Sequence, residues 1–376
     1  MSYSTGVNIL VATGIYPPSV GGPATYSKLL HDVLPGHAAK AGLDIQVKIY
    51  SFDEVRHLPK IIRHISYFFG CLSRLWRADI VFAQDTVSAA LPALLAAKLS
   101  RKPFLVRVPG DYAWEQSVQR FGVTDSIDVF QEKKYGWRVE FLRRIQRFVV
   151  GHANLVITPS RYFARLVGNW FHSSEKKPNI VPIYNGVDLS QIPHPHSQYE
   201  PKTLISAGRL VPWKGFAGLI RALPRLSGWQ LSIAGDGPEK EKLKSLAAEL
   251  GVADRITWLG SISRSDLIAR IQSSQIFALN TSFESFSFQV VEAMAAGTPV
   301  IATNIGNLSE IIENGIDGIL ITPDDATALV KAIEHLTHDD FRQKITTSAL
   351  RKAQLFSIQR TLDSLITELK VFMPAQ

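Results

Sequence analysis

The segment 276–302 constrains the fold more than any other stretch of this chain. Apolar residues over 276–279 read as a buried strand, 280–285 as a polar turn and 287–296 as a helix. Gly297-Thr298-Pro299 ends that helix, because glycine suits the left-handed residue after a helix and proline cannot extend one; a strand follows over 300–302. Two strands joined through a helix lie parallel, and a parallel sheet needs cover on both faces. The same alternation runs along the first half, with strands predicted at 7–12, 44–50, 80–83 and 103–108 and helices at 24–34, 58–76 and 88–99. The fold class is therefore α/β with parallel sheets. At 376 residues the chain exceeds what one hydrophobic core usually serves, so two such domains are expected.

The helix 287–296 is apolar nearly all round through Phe288, Val290, Val291, Ala293, Met294, Ala295 and Ala296, and so is expected to be buried. Glu292 sits in its middle. A buried carboxylate needs a cation, N–H groups or ligand hydroxyls as partners. Glu284 lies in the loop feeding the helix, at the carboxyl end of a strand, where open α/β sheets place ligands. Unpaired N–H groups at the helix start, near Ser287 and Phe288, suit a phosphate. Taken singly, Glu292 fits a pairing with a core arginine equally well, and Glu284 a solvated loop position. Together they fit a site that reads hydroxyls with carboxylates and phosphate with a helix end.

Two glutamates separated by seven residues, then Ala-Met-Ala and Gly-Thr-Pro-Val-Ile-Ala, resemble the E-x7-E signature of retaining glycosyltransferases of family 4, which have the GT-B fold. The resemblance implies two Rossmann-like domains facing a cleft, with a C-terminal helix crossing back to the first. It also implies that Glu284 faces a donor sugar and Glu292 the nucleotide ribose, with Ser285, Phe286, Ser287 and Phe288 on the donor between them. Many members have glycine where this chain has Ser285 and Ser287, whose hydroxyls offer donors instead.

Other matches extend over most of the chain. Gly208-Arg209-Leu210 with Lys214-Gly215 places two cations at a strand end, able to converge on one anion. It is similar to the family's Gly-Arg-Leu-x-x-x-Lys-Gly, which implies that Arg209 and Lys214 bind the donor diphosphate. Gly235-Asp236-Gly237-Pro238 resembles the family's G-x-G-P turn, and Gly260-Ser261-Ile262 the stretch that holds the base through backbone groups. Gly21-Gly22 is a weak signal alone, but it resembles a Pro-x-x-Gly-Gly that faces the donor phosphates and the acceptor. After Val108 the family often has histidine; here Pro109 stands instead, and Asp111 is the nearest group for an acceptor or sugar hydroxyl. By its residues alone Asp111 serves equally as a helix or turn cap. Asn185-Gly186-Val187-Asp188 is similar to the family's crossing between domains. The expected N-terminal, acceptor-side domain is 1–190, completed by a helix at about 357–376, and the nucleotide-sugar-binding domain is 191–356. His194 and His196, among Pro and Ser, read as linker.

Charge divides unevenly. Residues 1–190 hold 23 Lys and Arg against 14 Asp and Glu, whereas residues 191–376 hold 18 against 19. Segments 56–77 and 133–150 are both basic and aromatic, which allows an anionic membrane surface or a lipid-linked acceptor as partner, beside the plainer reading of a core face with a solvated basic face. No nucleic-acid-binding module is recognisable. A single cysteine, Cys71, suits a reducing compartment, and neither a cleavable leader nor a spanning run is seen, so the expectation is a cytoplasmic protein, either soluble or peripheral on the inner face of the plasma membrane.

No Asp-x-Asp occurs, so a metal-bridged diphosphate is not indicated and no cofactor is expected. The implied reaction is metal-independent glycosyl transfer with retention, from a nucleoside-diphosphate sugar to a hydroxyl acceptor such as a lipid-linked or cell-surface glycan precursor. The rival readings are a GT-B sugar-nucleotide epimerase and a non-catalytic nucleotide-sugar-binding subunit.

Overall fold

The computed structural model describes residues 6–19, 21–171, 177–194 and 198–373. The chain start, Val20 and His196 of the expected linker lie outside the described residues. The chain divides into two compact units, Met1–Tyr184 with Thr361–Gln376, and Asn185–Arg360.

The first unit is built on strands β1 (Val7–Thr13), β2 (Ile45–Ser51), β3 (Ile80–Ala83), β4 (Phe104–Arg107), β5 (Leu155–Thr158) and β6 (Ile180–Pro182). They form one parallel sheet in the order β2-β1-β3-β4-β5-β6, with Val7 opposite Ile45 and Ile9 opposite Ile80. The chain steps outward from β1 to β2 and then back past β1 to β3, so the order reverses there and leaves a crevice at the carboxyl ends of β1 and β3. Right-handed crossovers put helix Gly22–Asp32 on one face and helices Lys60–Arg74, Ala90–Leu99 and Trp137–Gly151 on the other.

The second unit repeats the plan with β7 (Glu200–Ala207), β8 (Gln230–Ala234), β9 (Ile256–Gly260), β10 (Ser274–Leu279), β11 (Val300–Thr303) and β12 (Ile319–Ile321). Its order is β12-β11-β10-β7-β8-β9, with the reversal between β7 and β10. Every residue of β10 and β11 is buried, as strands covered on both faces require. Leu204, Leu231, Ile233, Ile276 and Ile301 meet Phe216, Leu219 and Ile220 of helix Phe216–Ala222 in the core. Helix Phe288–Ala295 buries Val290, Val291, Glu292, Ala293 and Met294, as its composition predicts.

Several boundaries differ from expectation for visible reasons. The division falls after Tyr184, not at 190, because Val187 N–H donates to the Phe356 carbonyl at 2.8 Å and the Val187 carbonyl accepts from Ile358 N–H at 3.1 Å within the second unit. The basic segment 133–150 is helical only from Trp137, because extended Gly136 caps the helix Trp137–Gly151 and 133–136 separate it from helix Ile127–Glu132. β6 ends at Pro182, and beyond it Ile183 N–H still donates to the Thr158 carbonyl of β5 at 2.8 Å. The last helix is Ile358–Leu369, shorter than predicted. Among the described residues no helix is long and apolar enough to cross a membrane.

Candidate active site

In the second unit the site grows from the loops after β7 and β10. The turn Pro212–Lys214 ends at Gly215, whose φ of 64° is left-handed and whose absent Cβ would fall on the Asn280 carbonyl oxygen; only glycine fits. The two loops are tied at Trp213, whose carbonyl accepts Ser282 N–H at 2.7 Å, Thr281 Oγ1 at 2.8 Å and Ser282 Oγ at 3.3 Å. This tie brings Lys214 Nζ onto Glu284 Oε1 as a largely buried ion pair. Glu284 is only 6% exposed. Burial pushes its carboxyl above the usual carboxylate range, with the Lys214 ammonium pulling the other way.

Helix Phe288–Ala295 starts beside this pair. Its N-cap Ser287 makes no side-chain capping bond, and the fully buried Ser287 Oγ has no hydrogen-bond partner among the described residues. The helix therefore presents unpaired N–H groups and a spare hydroxyl together. Glu292, 5% exposed, accepts from Arg264 Nε at 2.7 Å. Burial raises its pKa, opposed by Arg264. Arg264 is not a core residue: its side chain is 38% exposed and also reaches Gln191 Oε1 at 2.8 Å. Glu292 thus has the cation its burial requires, but at an open edge.

The remaining expected residues surround these two pairs. Phe286 is buried, lies edge-on to half-buried Phe288 at 5.4 Å and tilts against Phe356; Ser285 is half-buried. Gly235 approaches the Gly208 carbonyl so closely that a Cβ would collide with it, and Gly208 N–H donates to the Ala234 carbonyl at 2.9 Å, which ties the β7 and β8 loops together. Arg209 is exposed with no ion pair among the described residues, whereas Ile262 is half-buried just before Arg264. Sequence reasoning missed Asn307, a fully buried residue after β11 whose amide oxygen and nitrogen both lack partners among the described residues.

In the first unit a cavity of about 380 Å³ opens at the carboxyl ends of β1, β3 and β4, lined by Pro23, Arg63, Asp85, Pro109, Tyr112 and Arg120 among others. Gly21 is the N-cap of helix Gly22–Asp32, and a side chain at Gly22 would meet open space. Gln84 and Thr86, both buried after β3, carry side-chain polar atoms without partners among the described residues. Arg107 is buried over the Tyr26 ring at 3.9 Å, and burial lowers its pKa to about 10.

Asp111 differs from its expected place. It is fully buried as the N-cap of helix Tyr112–Arg120, accepting from Trp114 N–H at 3.1 Å, Gln146 Nε2 at 3.0 Å and Gln131 Nε2 at 2.9 Å. Three internal donors engage its carboxylate at full burial, which is the capping alternative that its residues allowed.

A family model described as glycosyl transferase 4-like domain matches residues 17–186, and one described as glycosyl transferases group 1 matches residues 191–352. The chain belongs to the group 1 glycosyltransferases. All the second-unit residues of the site fall within the span of the group 1 model. An uncharacterized glycosyltransferase of Methanocaldococcus jannaschii is 30% identical over 211 residues, covering 52% of this chain and 54% of its own length. Glycogen synthase of Mycobacterium tuberculosis is 28% identical over 276 residues, covering 71% and 62%. This glycosyltransferase chain therefore spans a little over half to about three-fifths of the length of these curated relatives. Anabaena HepE, solved in complex with UDP-glucose, superposes with a TM-score of 0.73 at 20% identity over 97% of this chain and 99% of its own, so the two share the GT-B fold.

Proposed function

We propose that the chain transfers a sugar from a nucleoside-diphosphate donor to an acceptor hydroxyl, with retention of anomeric configuration and without a metal ion. The observation that carries this reading is the buried Lys214–Glu284 pair beside the open start of helix Phe288–Ala295. Cations and helix N–H groups there suit a diphosphate whose charge grows as it leaves, and buried carboxylates suit sugar and ribose hydroxyls. HepE, which shares the fold, was solved with a nucleotide sugar of this chemical class.

In the proposed step the bond from the anomeric carbon to the diphosphate oxygen breaks, its electron pair leaving with the nucleoside diphosphate. The acceptor oxygen bonds to the anomeric carbon on the same face, and its proton passes to the departing phosphate oxygen. Lys214, Arg209 and the Ser287–Phe288 helix start hold the diphosphate, Glu284 orients the sugar and Glu292 the ribose. The acceptor occupies the first-unit cavity. A lipid-linked glycan precursor at the inner face of the plasma membrane fits the basic, aromatic helices of that unit.

The test is release of free nucleoside diphosphate from a panel of uridine, guanosine and adenosine diphosphate sugars by the purified chain with EDTA present, the anomer of any product being read by NMR. Release from one donor with a retained anomer supports the reading. Tight binding without release across a broad acceptor panel supports a non-catalytic nucleotide-sugar subunit, for which Pro109 in place of the family's histidine speaks. Conversion of the donor sugar with no acceptor present identifies an epimerase.

A further inference from the structure

Helices Lys60–Arg74, Ala90–Leu99 and Trp137–Gly151 lie side by side on one face of the first sheet, the middle one packing against both others, with Lys98 Nζ 5.6 Å from the Phe148 ring. A helix that covers a sheet buries its apolar stripe and turns polar residues outward. These three do otherwise. On the first, Ile62, Ile65 and Phe69 are exposed at helical spacing, and the stripe continues to Trp76, which is 91% exposed. The middle helix exposes Leu95 and Leu99. The third exposes Phe141, Phe148 and Trp137, the last at 75%. Ten such apolar groups with Ile61, confined to one helical layer, exceed the scattered single residues normal for a surface and mark a docking face.

Charge indicates the partner. The three helices carry three, one and four cations in turn against a single carboxylate, Glu140, which is already bonded to Arg143. Lys60, Arg77 and Arg144 are exposed and have no ion-pair partner among the described residues. Bulky apolar and aromatic side chains interleaved with unpaired cations and almost no acid match an anionic bilayer surface, where rings sink to the headgroup level and ammonium and guanidinium groups meet phosphate. Trp76 and Trp137 lie at opposite ends of this layer of parallel helices, one past a helix end and one at a helix start. The layer therefore meets the bilayer broadside, and the contact does not hang on one helix tip.

We infer that this three-helix face is a peripheral membrane-docking surface selective for anionic lipid. This inference deepens the reading of a lipid-linked acceptor at these helices and rests on it for its biological sense, but vesicle binding is read without any transfer, so either can fail while the other stands.

Flotation of the full chain tests it, using vesicles of phosphatidylcholine alone and of phosphatidylcholine with about one-third phosphatidylglycerol. Binding to the anionic vesicles, weakened by salt and at least tenfold poorer to the neutral ones, is expected. Lys60→Ala, Arg77→Ala and Arg144→Ala should each cost about fivefold in partition. The triple variant I65S/F69S/W76S should lose flotation while its thermal unfolding midpoint stays within a few degrees, since these side chains are already exposed. Brominated phosphatidylglycerol should quench tryptophan fluorescence in the native chain and quench it less in the W76F/W137F variant, which keeps its apolar character and still floats. Absence of flotation, equal binding to both vesicles, or flotation unaffected by the serine variant overturns the inference. So does a dimer in sedimentation equilibrium that the serine variant dissociates without any vesicle affinity, since the face would then be a protein interface.

Discussion

The ammonium of Lys214 donates to Oε1 of Glu284, seventy positions further along the chain, in a pair that water scarcely reaches. Each partner is the chief compensation for burying the other. Lys214→Met should therefore lower stability by about 3–5 kcal/mol, because a carboxylate is left buried alone. The double variant Lys214→Met/Glu284→Gln should recover most of that loss in urea unfolding yet still show no nucleoside diphosphate release. Recovered stability with recovered turnover would remove both residues from the chemistry.

Burial holds the Glu284 carboxyl above the usual carboxylate range. A raised folded-state pKa means that the native chain binds the proton more tightly than the unfolded chain, so this group's contribution to stability is largest in acid and declines as pH rises through the folded pKa. Glu284→Gln should remove that decline, and the stability difference from the native chain should widen from about pH 4 upward. Turnover should show an acid limb whose midpoint lies above the ordinary glutamate value, absent from whatever residual rate the Gln variant keeps. An acid limb at the ordinary value would contradict a buried, working carboxylate.

Arg264 bonds Glu292 from a partly exposed position, while the carboxylate it serves is buried. Arg264→Ala should lower stability by about 1–3 kcal/mol, because the buried Glu292 carboxylate loses its cation. If Glu292 reads the ribose, the same variant should raise KM for the donor several-fold with a smaller change in kcat. A change in kcat alone would assign the pair elsewhere.

At Gly215 the backbone is left-handed and a methyl group would strike the Asn280 carbonyl. Gly215→Ala should cost at least about 1–2 kcal/mol from conformation alone, and more from the clash. Because Gly215 adjoins Lys214, donor affinity measured by calorimetry should fall with it. An unchanged melting curve would mean that the loop is not held as described.

Asp111→Ala should lower stability by about 1–2 kcal/mol through the lost cap, with a further loss from the stranded amides of Gln131 and Gln146. The folded fraction should keep its kcat. A specific collapse of kcat at unchanged stability would return Asp111 to the reaction.

The sheet strands were legible because short apolar runs punctuated by glycine and proline leave few alternatives, and even the break at Gly136 has a turn residue to mark it. Glu284 and Glu292 were legible as a spaced pair in one local motif. Arg264 was not, since a cation at a helix start twenty-eight residues upstream of Glu292 becomes its partner only through the fold. Asn307 sits after a glycine and reads as an ordinary turn until its burial is known. Asp111 carried two equal readings in sequence; amides from two other helices, at 131 and 146, decide between them in space.

The Trp213 carbonyl that gathers three donors from Thr281 and Ser282 has a consequence for inheritance. A carbonyl belongs to every residue, and the N–H of position 282 belongs to every residue but proline. Drift can erase the Thr281 and Ser282 hydroxyls and the indole of Trp213 while the shortest of the three bonds survives. The clasp that keeps lysine and glutamate in reach of each other is thus written into the main chain, and Ser282→Pro is the single-letter change that unfastens it.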